Sequence, residues 1–270
     1  MTTKTISAAA NPALANKAIQ EVLAEKPQEV EVRITSPSET LVTLPGGYIT
    51  SAGEVTTEAE VRELNGRDEE EISRASTLGK ALLTILKRGT VRIGNEHVTE
   101  SMLDNLLSGD RDMLLLGIFR ATFGNIAHLS GYCGSCAESK DVDVELDKDI
   151  KVKVLADPIN GRRFIVEGKK TEYTVELPTG ITQKELMLSA DKTIAELNTL
   201  LLEQTVTRIG DTPVASKIQV QNLGLTDRRK IVDEINKRAC GPQFEDLTLE
   251  CPDCEGEVQV PISLGALFRF

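Results

Sequence analysis

Cys133-Gly-Ser-Cys136, near the middle of the chain, and Cys251-Pro-Asp-Cys254, near its end, are the stretches on which the reading of the fold turns. A C-x-x-C turn brings two thiolates within reach of one tetrahedral ion, and two such turns complete a four-sulfur zinc site. The pairs stand 251 − 133 = 118 residues apart, too far for one small zinc finger. The spacing predicts that the knuckles occupy matching points of a duplicated unit. Cys133, Cys136, Cys251 and Cys254 would then share one structural zinc ion that joins the two copies. The alternative, in which each pair serves its own module without metal, is disfavoured because four cysteine ligands mark a closed structural site.

The totals suit that picture. Of 270 residues, 40% are hydrophobic and 27% charged, as in ordinary soluble proteins, and the length allows one large domain or two small ones. Six Phe, three Tyr and no Trp leave the core to Leu, Ile and Val. Thirty-one basic against 42 acidic residues give a net charge of −11, which works against a protein that tracks nucleic-acid phosphates. No apolar run approaches a membrane span, since Met113-Leu-Leu-Leu-Gly-Ile-Phe119 is stopped by Arg120. The N-terminus lacks the apolar segment of a secretory signal, so synthesis in a reducing cytosol is expected, where C-x-x-C pairs favour metal over disulfide.

The remaining segments fall into order around the knuckles. Residues 1–28 read as a polar leader and one helix, opened by Pro12 and ended by Lys26-Pro27, a docking arm. From 29 the period changes to strands: Val30, Val32 and Ile34 alternate, Leu41-Val-Thr-Leu44 runs into a turn at Pro45-Gly-Gly47, and Val55 to Leu64 alternates again. One helix is then expected from the acidic turn Asp68-Glu-Glu-Glu71 to Lys87-Arg88, burying Ile72, Ala75, Gly79, Leu82, Leu83 and Leu86 and leaving its acidic start in solvent. Thr99 and Asp110 are placed to cap two further helices, the second strongly apolar through Phe119. The first knuckle follows, then a strand at Val142, Val144 and Leu146, then a hairpin through Phe164, Val166, Tyr173 and Val175.

From that hairpin the order repeats. Leu177-Pro-Thr-Gly180 echoes Leu44-Pro-Gly-Gly47, Thr207-Arg-Ile-Gly210 echoes Val91-Arg-Ile-Gly94, Asp227-Arg228 echoes Asp110-Arg111, and Cys240-Gly241 echoes Phe123-Gly124. The offsets agree closely: 210 − 94 = 116, 228 − 111 = 117, 241 − 124 = 117 and 254 − 136 = 118. The expected fold is therefore α+β and internally duplicated, two pseudo-symmetric halves joined by a four-cysteine zinc-ribbon-like site. Its divisions are an arm at 1–28, a first repeat at 29–147, and an inter-repeat hairpin with the second repeat at 148–270. The fifth cysteine, Cys240, aligns with an apolar helix end and reads as a small buried hydrophobe. Of the two histidines, His97 sits in a turn and His128 precedes Cys133 by five residues; both read as surface residues. No nucleophile motif, phosphate loop or H-E-x-x-H is present, so no enzyme activity is expected.

One part of the pattern resembles a known family. The segment Leu107-Ser-Gly-Asp-Arg-Asp-Met-Leu-Leu-Leu-Gly-Ile-Phe-Arg-Ala-Thr-Phe-Gly124 with its following C-x-x-C is similar to tail baseplate proteins of T-even-like bacteriophages, the hub subunits and hub assembly chaperones. So is the Leu-Pro-Gly-Gly turn followed by Arg62-Glu-Leu-Asn-Gly-Arg-Asp-Glu-Glu70. The resemblance implies a phage-encoded protein made in the bacterial cytoplasm and acting in the virion tail or its assembly. Its partners would be other tail and baseplate proteins, in several symmetric copies. The competing expectation is a zinc-ribbon nucleic-acid or transcription factor, against which stand the acidic flanks Ala137-Glu-Ser-Lys-Asp and Glu255-Gly-Glu.

Overall fold

Alternation in the strands and a helix apolar on nearly every side place the first half of the chain. The computed structural model describes residues 40–189 and 191–268; the expected N-terminal helix and the Val30–Ile34 alternation lie outside them. Strand β1 (Leu41–Ile49) pairs antiparallel with β2 (Val55–Val61), and Val42, Leu44, Ala59 and Val61 turn inward. Pro45-Gly-Gly47 is not the turn after the strand. It is an irregularity inside β1, where the register shifts between Thr43 and Tyr48 and Gly47 takes a φ of 72°. Proline lacks a ladder donor and glycine tolerates positive φ, so a bulge accommodates both.

The single helix expected over Asp68–Arg88 is two, α1 (Gly66–Ser73) and α2 (Leu78–Gly89). Thr77 breaks the run because its hydroxyl caps the new helix by accepting from the Lys80 amide at 3.3 Å. The break rotates the apolar face: Ile85 and Ala81 are buried, while Leu83, Ala75 and Gly79 are only partly covered. After α2 come β3 (Thr90–Ile93), β4 (Glu96–His97), the short helix α3 (Glu100–Asn105) and α4 (Ser108–Phe123). The sheet order is β1-β2-β3-β4, and α4 packs across β1 and β2 with Leu114, Leu115, Leu116, Ile118 and Phe119 all buried. Burial on every side is what so apolar a helix requires.

Next are the hairpin β5 (Ile126–Cys133) and β6 (Glu138–Glu145), a helical turn α5 (Leu146–Asp149) and the short strand β7 (Val152–Lys153). A second run then takes the same order as the first: β8 (Arg163–Glu167), β9 (Glu172–Glu176), α6 (Gly180–Leu188), α7 (Ile194–Thr205), β10 (Val206–Ile209), β11 (Thr212–Pro213), α8 (Lys217–Gln221) and α9 (Leu225–Arg238). Its sheet order, β8-β9-β10-β11, matches β1-β2-β3-β4. The chain closes with β12 (Gly241–Pro242), β13 (Leu247–Glu250), β14 (Glu257–Val260) and α10 (Leu264–Leu267). One echo drawn from the sequence is misplaced. Leu44–Gly47 lies within β1, whereas Leu177–Gly180 leads into α6, so the place in the first run that corresponds to Gly180 is Gly66 at the start of α1.

Two hydrophobic clusters follow the two runs, with Leu107 of the first run seated in the second cluster. The runs meet along Leu106–Ser108 and Pro178–Gly180. Gly180 N donates to Leu106 O at 2.8 Å, Ser108 N donates to Pro178 O at 2.9 Å, and the buried Arg111 guanidinium donates to Gly180 O. A Cβ on Gly180 would stand 2.2 Å from Leu103 O, so only glycine permits this approach. The two Asp-Arg steps act differently from helix caps. Asp110 sits in the third position of α4 and its Oδ1 accepts from Gly46 N at 2.6 Å, gripping the β1 bulge. Asp227 accepts from Lys169 N at 3.1 Å and from the Tyr173 hydroxyl at 2.9 Å, gripping the β8–β9 turn. Arg111 reaches the other run, but Arg228 stays in its own, donating to Val220 O at 3.0 Å and Thr199 Oγ1 at 2.7 Å.

The acidic turn at the start of α1 also departs from a solvated face. Asp68 is fully buried, takes bonds from Arg62 at 2.7 and 2.9 Å and from Arg88 at 2.9 Å, and closes a capping box with Asn65. The Arg62 hydrogen bond holds its carboxyl well below the usual carboxylate range. Breaking a buried pair leaves uncompensated charge; with Arg62 and Arg88 still 36% and 37% exposed, Asp68→Ala should cost about 2 kcal/mol. Because the folded-state pKa is depressed, the contribution is present above the unfolded carboxylate value of about 4 and drains as pH falls below it. Urea denaturation of wild type and Asp68→Ala at neutral and acidic pH should show the gap narrowing as pH drops.

Candidate metal centre

The knuckles are the tips of two β-hairpins. In the first, β5 and β6 pair from Ile126 with Glu145 up to Cys133 with Glu138, so Cys133-Gly-Ser-Cys136 is the connecting turn. In the second, β13 and β14 pair from Leu247 with Val260 to Glu250 with Glu257, leaving Cys251-Pro-Asp-Cys254 in the same position. The hairpins join edge to edge where β14 pairs antiparallel with β5, Val258 opposite Cys133 and Gln259 opposite Tyr132. The result is one four-stranded sheet, β13-β14-β5-β6, with both tips at the same end. Gly131 permits the join, since a Cβ there would lie 2.7 Å from Gln259 O and 2.5 Å from Val258 Cγ1.

Both turns use the same backbone device. Ala137 at φ 57° and Glu255 at φ 59°, each directly after the second cysteine, are the positive-φ residues other than glycine among the described residues. Neither has the small polar side chain that eases this conformation. Each knuckle thus holds a mildly strained residue that keeps its sulfurs on one side. The Cys136 amide points at Cys133 Sγ at 3.4 Å, and the Glu255 amide donates to Cys251 O at 3.0 Å. Lys140 on β6 binds Asp253 at 2.7 Å and Glu138 at 2.6 Å, tying the second knuckle to the first hairpin.

These constraints bring the four sulfurs together. Cys133 Sγ lies 3.7 Å from Cys254 Sγ, Cys136 Sγ lies 3.9 Å from Cys251 Sγ, and all four fall within 4.8 Å of one another. A tetrahedron with metal–sulfur bonds of about 2.3 Å has edges of about 3.8 Å, so the set fits a tetrahedral thiophilic ion. A disulfide needs sulfurs about 2.05 Å apart and does not fit. Cys133 and Cys251 are buried, Cys136 is half-buried and Cys254 is exposed at the rim. The Cys136 amide lowers the Cys133 thiol to about 7, while Cys136 itself is pushed up to about 12, first by its contact with the Cys254 sulfur. Four thiols this close ionise together only when a cation neutralises them, and metal binding releases their protons.

Other sequence candidates lie elsewhere. His128 is on the exposed face of β5 with Nδ1 2.6 Å from Asp143 Oδ1, a cross-strand pair away from the sulfurs. His97 is exposed in β4. Cys240 is 6% exposed in the second cluster beside Gly46 and Leu107, and burial pushes its thiol up to about 12. Among the described residues, the four cysteines form the one group of three or more His, Cys, Asp or Glu able to hold an ion. No helix among them is long and apolar enough to cross a membrane. Sequence reasoning passed over Lys140, Gly131, Ala137 and Glu255; only the shared offset, 255 − 137 = 118, could have flagged the last two.

An ion held by these sulfurs would tie two distant segments only in the folded state, so Cys251→Ala should abolish tight metal binding and cost about 3 kcal/mol or more. Thermal melts with and without a strong chelator should differ for wild type and coincide for the variant. No protein-family model, no curated protein and no solved structure matches this chain.

Proposed function

We propose that this protein is a non-enzymatic, zinc-stapled protein–protein scaffold, internally duplicated, serving as a structural or assembly component of a bacteriophage tail baseplate. The observation that carries the reading is the four-thiolate set contributed by two hairpins 118 residues apart. Zinc is the assignment because it takes all-sulfur tetrahedral sites, and four thiolates leave no open position for substrate or activated water. An ion held this way stabilises a fold rather than a reaction.

Support for duplication comes from element order, strand order and register. The offsets run from 180 − 66 = 114 at the first helix of each run to 251 − 133 = 118 at the knuckles. Gly94 and Gly210 share positive φ, as do Gly124 and Gly241, and as do Ala137 and Glu255. The setting in a phage tail rests on the resemblance carried by the Arg62–Glu70 and Leu107–Gly124 segments. The ribbon-like sheet also suits a nucleic-acid binder, but Glu138, Asp253, Glu255 and Glu257 surround its tips with negative charge.

Purified protein should contain one zinc per chain by elemental analysis. The chain should appear by mass spectrometry in phage tails or baseplate intermediates, and it should pass through heparin without salt-sensitive retention. Metal-free protein with intact folding would remove the staple; absence from every tail fraction would remove the setting; tight heparin binding would favour the nucleic-acid reading.

A further inference from the structure

Helix α6 fills a groove on the first run, and among the described residues the matching groove on the second run stands open. Inside the chain, α6 packs against α2, α3 and α4. Its Gln183 donates to Asp112 at 2.5 Å, and its Lys184 binds Glu100 at 2.8 Å and reaches Asp104 at 3.6 Å. Arg111 holds the carbonyl of its first residue, Gly180. The equivalent groove lies between α7, α8 and α9, a cavity of about 660 Å³. It is lined by two bare apolar side chains, Ile194 at 79% and Leu225 at 73% exposure, and Ile218 on α8 is 66% exposed.

The equivalent of α6 is α1, and the register between them is checked by burial. With 182 − 68 = 114, Thr182 and Asp68 are the corresponding inward residues, and both are buried. The same offset makes Glu69 and Glu70 the counterparts of Gln183 and Lys184, and both glutamates are exposed. On the groove side the offset is 117 for α3 with α8 and for α4 with α9, and 194 − 78 = 116 for α2 with α7. Arg229 therefore stands where Asp112 does, Lys217 where Glu100 does, and Arg228 where Arg111 does.

At the contacting positions Gln183 and Lys184 correspond to Glu69 and Glu70, and Asp112 and Glu100 correspond to Arg229 and Lys217, while Arg111 and Arg228 are basic in both runs. Within the chain Gln183 and Lys184 meet acidic side chains of the groove; in the unpartnered pair those helix positions are acidic and the facing groove positions are basic, with Asp233 also in the groove lining. A helix and a groove reversed together remain complementary to each other, and neither suits the other run's partner. We propose that the occupant of the open groove is α1 of a second copy of this chain, docked on α7, α8 and α9 as α6 docks on α2, α3 and α4. Glu69 then faces Arg229, Glu70 faces Lys217, and Phe123, 55% exposed beside Gly66, adds apolar cover at the rim. At Gly79 the counterpart is Ala195, so the docked helix stands off there by the width of a methyl group. Helix and groove are different surfaces, so the contact is heterologous and joins copies head to tail into a ring or a file.

The inference rests on the two runs being equivalent, as proposed above, and not on the identity of the metal. Sedimentation velocity of the full, metal-loaded chain at low salt should show concentration-dependent growth beyond the monomer. Glu69→Lys and Arg229→Glu should each weaken that association by about tenfold or more, because attraction becomes repulsion. Each variant alone should run as a monomer at concentrations where wild type associates. Mixed one to one, the intact helix of Arg229→Glu meets the intact groove of Glu69→Lys, the reversed helix of Glu69→Lys meets the reversed groove of Arg229→Glu, and concentration-dependent growth beyond the monomer should return. A wild type monomeric throughout, association indifferent to both substitutions, or a mixture that stays monomeric would each overturn the proposal. Both positions are exposed, and circular dichroism and metal content establish that the variants fold. A metal-loaded monomer sinks this inference alone; a metal-free chain that follows the predicted pattern sinks only the zinc staple.

Discussion

The pairing of β14 with β5 is the contact on which the rest of the molecule depends. Each hairpin alone offers two sulfurs, too few to hold a structural ion. Only when Val258 comes opposite Cys133 do the tips sit side by side with sulfurs at tetrahedral spacing. A handful of backbone hydrogen bonds, a glycine that lets the strands approach and one lysine spanning Glu138 and Asp253 thereby close a loop of more than a hundred residues. Loop closure is costly in entropy, and a metal bound only by the folded state would offset it.

Away from the sulfurs, buried charges do the positioning, and they do it with opposite pH signatures. Asp68 is held ionised by two guanidinium groups, and its contribution fades in acid. Asp110 is buried against Gly46 N with burial pushing its carboxyl up to about 6, so its contribution is full below about 4 and declines as pH rises through 6. One carboxylate tightens the start of α1 and the other grips a bulge in β1. Both serve a sheet with few aromatic side chains, where hydrogen-bonded anchors take up work that large rings often perform.

The two runs of elements share a plan yet meet asymmetrically. Arg111 reaches across to Gly180 while Arg228 turns back on its own helices, and among the described residues only the first groove is filled by a helix of the other run. On the proposed duplication, a helix-in-groove contact used once internally leaves one helix and one groove unspent.

Much of this was legible in the residues. The C-x-x-C pairs marked by type and spacing the sulfurs that cluster, the alternating valines marked strands of the hairpins that carry them, and the near-constant offsets anticipated a second run of elements in the same order. Local signals misled where a side chain serves a partner far along the chain. Asp68 looked like a solvated helix start because its arginines, at 62 and 88, flank it at distances no helical period reveals, and Asp110 looked like a cap because the amide it binds lies 64 residues away. Pro45-Gly-Gly47 carried the composition of a turn, and only pairing with β2 made it a bulge. Residue type and local spacing by themselves determined which atoms could bind a metal and which segments were strands or helices. Which sulfurs meet, which carboxylates are buried and which groove is left open were decided by tertiary pairing, because those depend on contacts between segments that local periodicity does not encode.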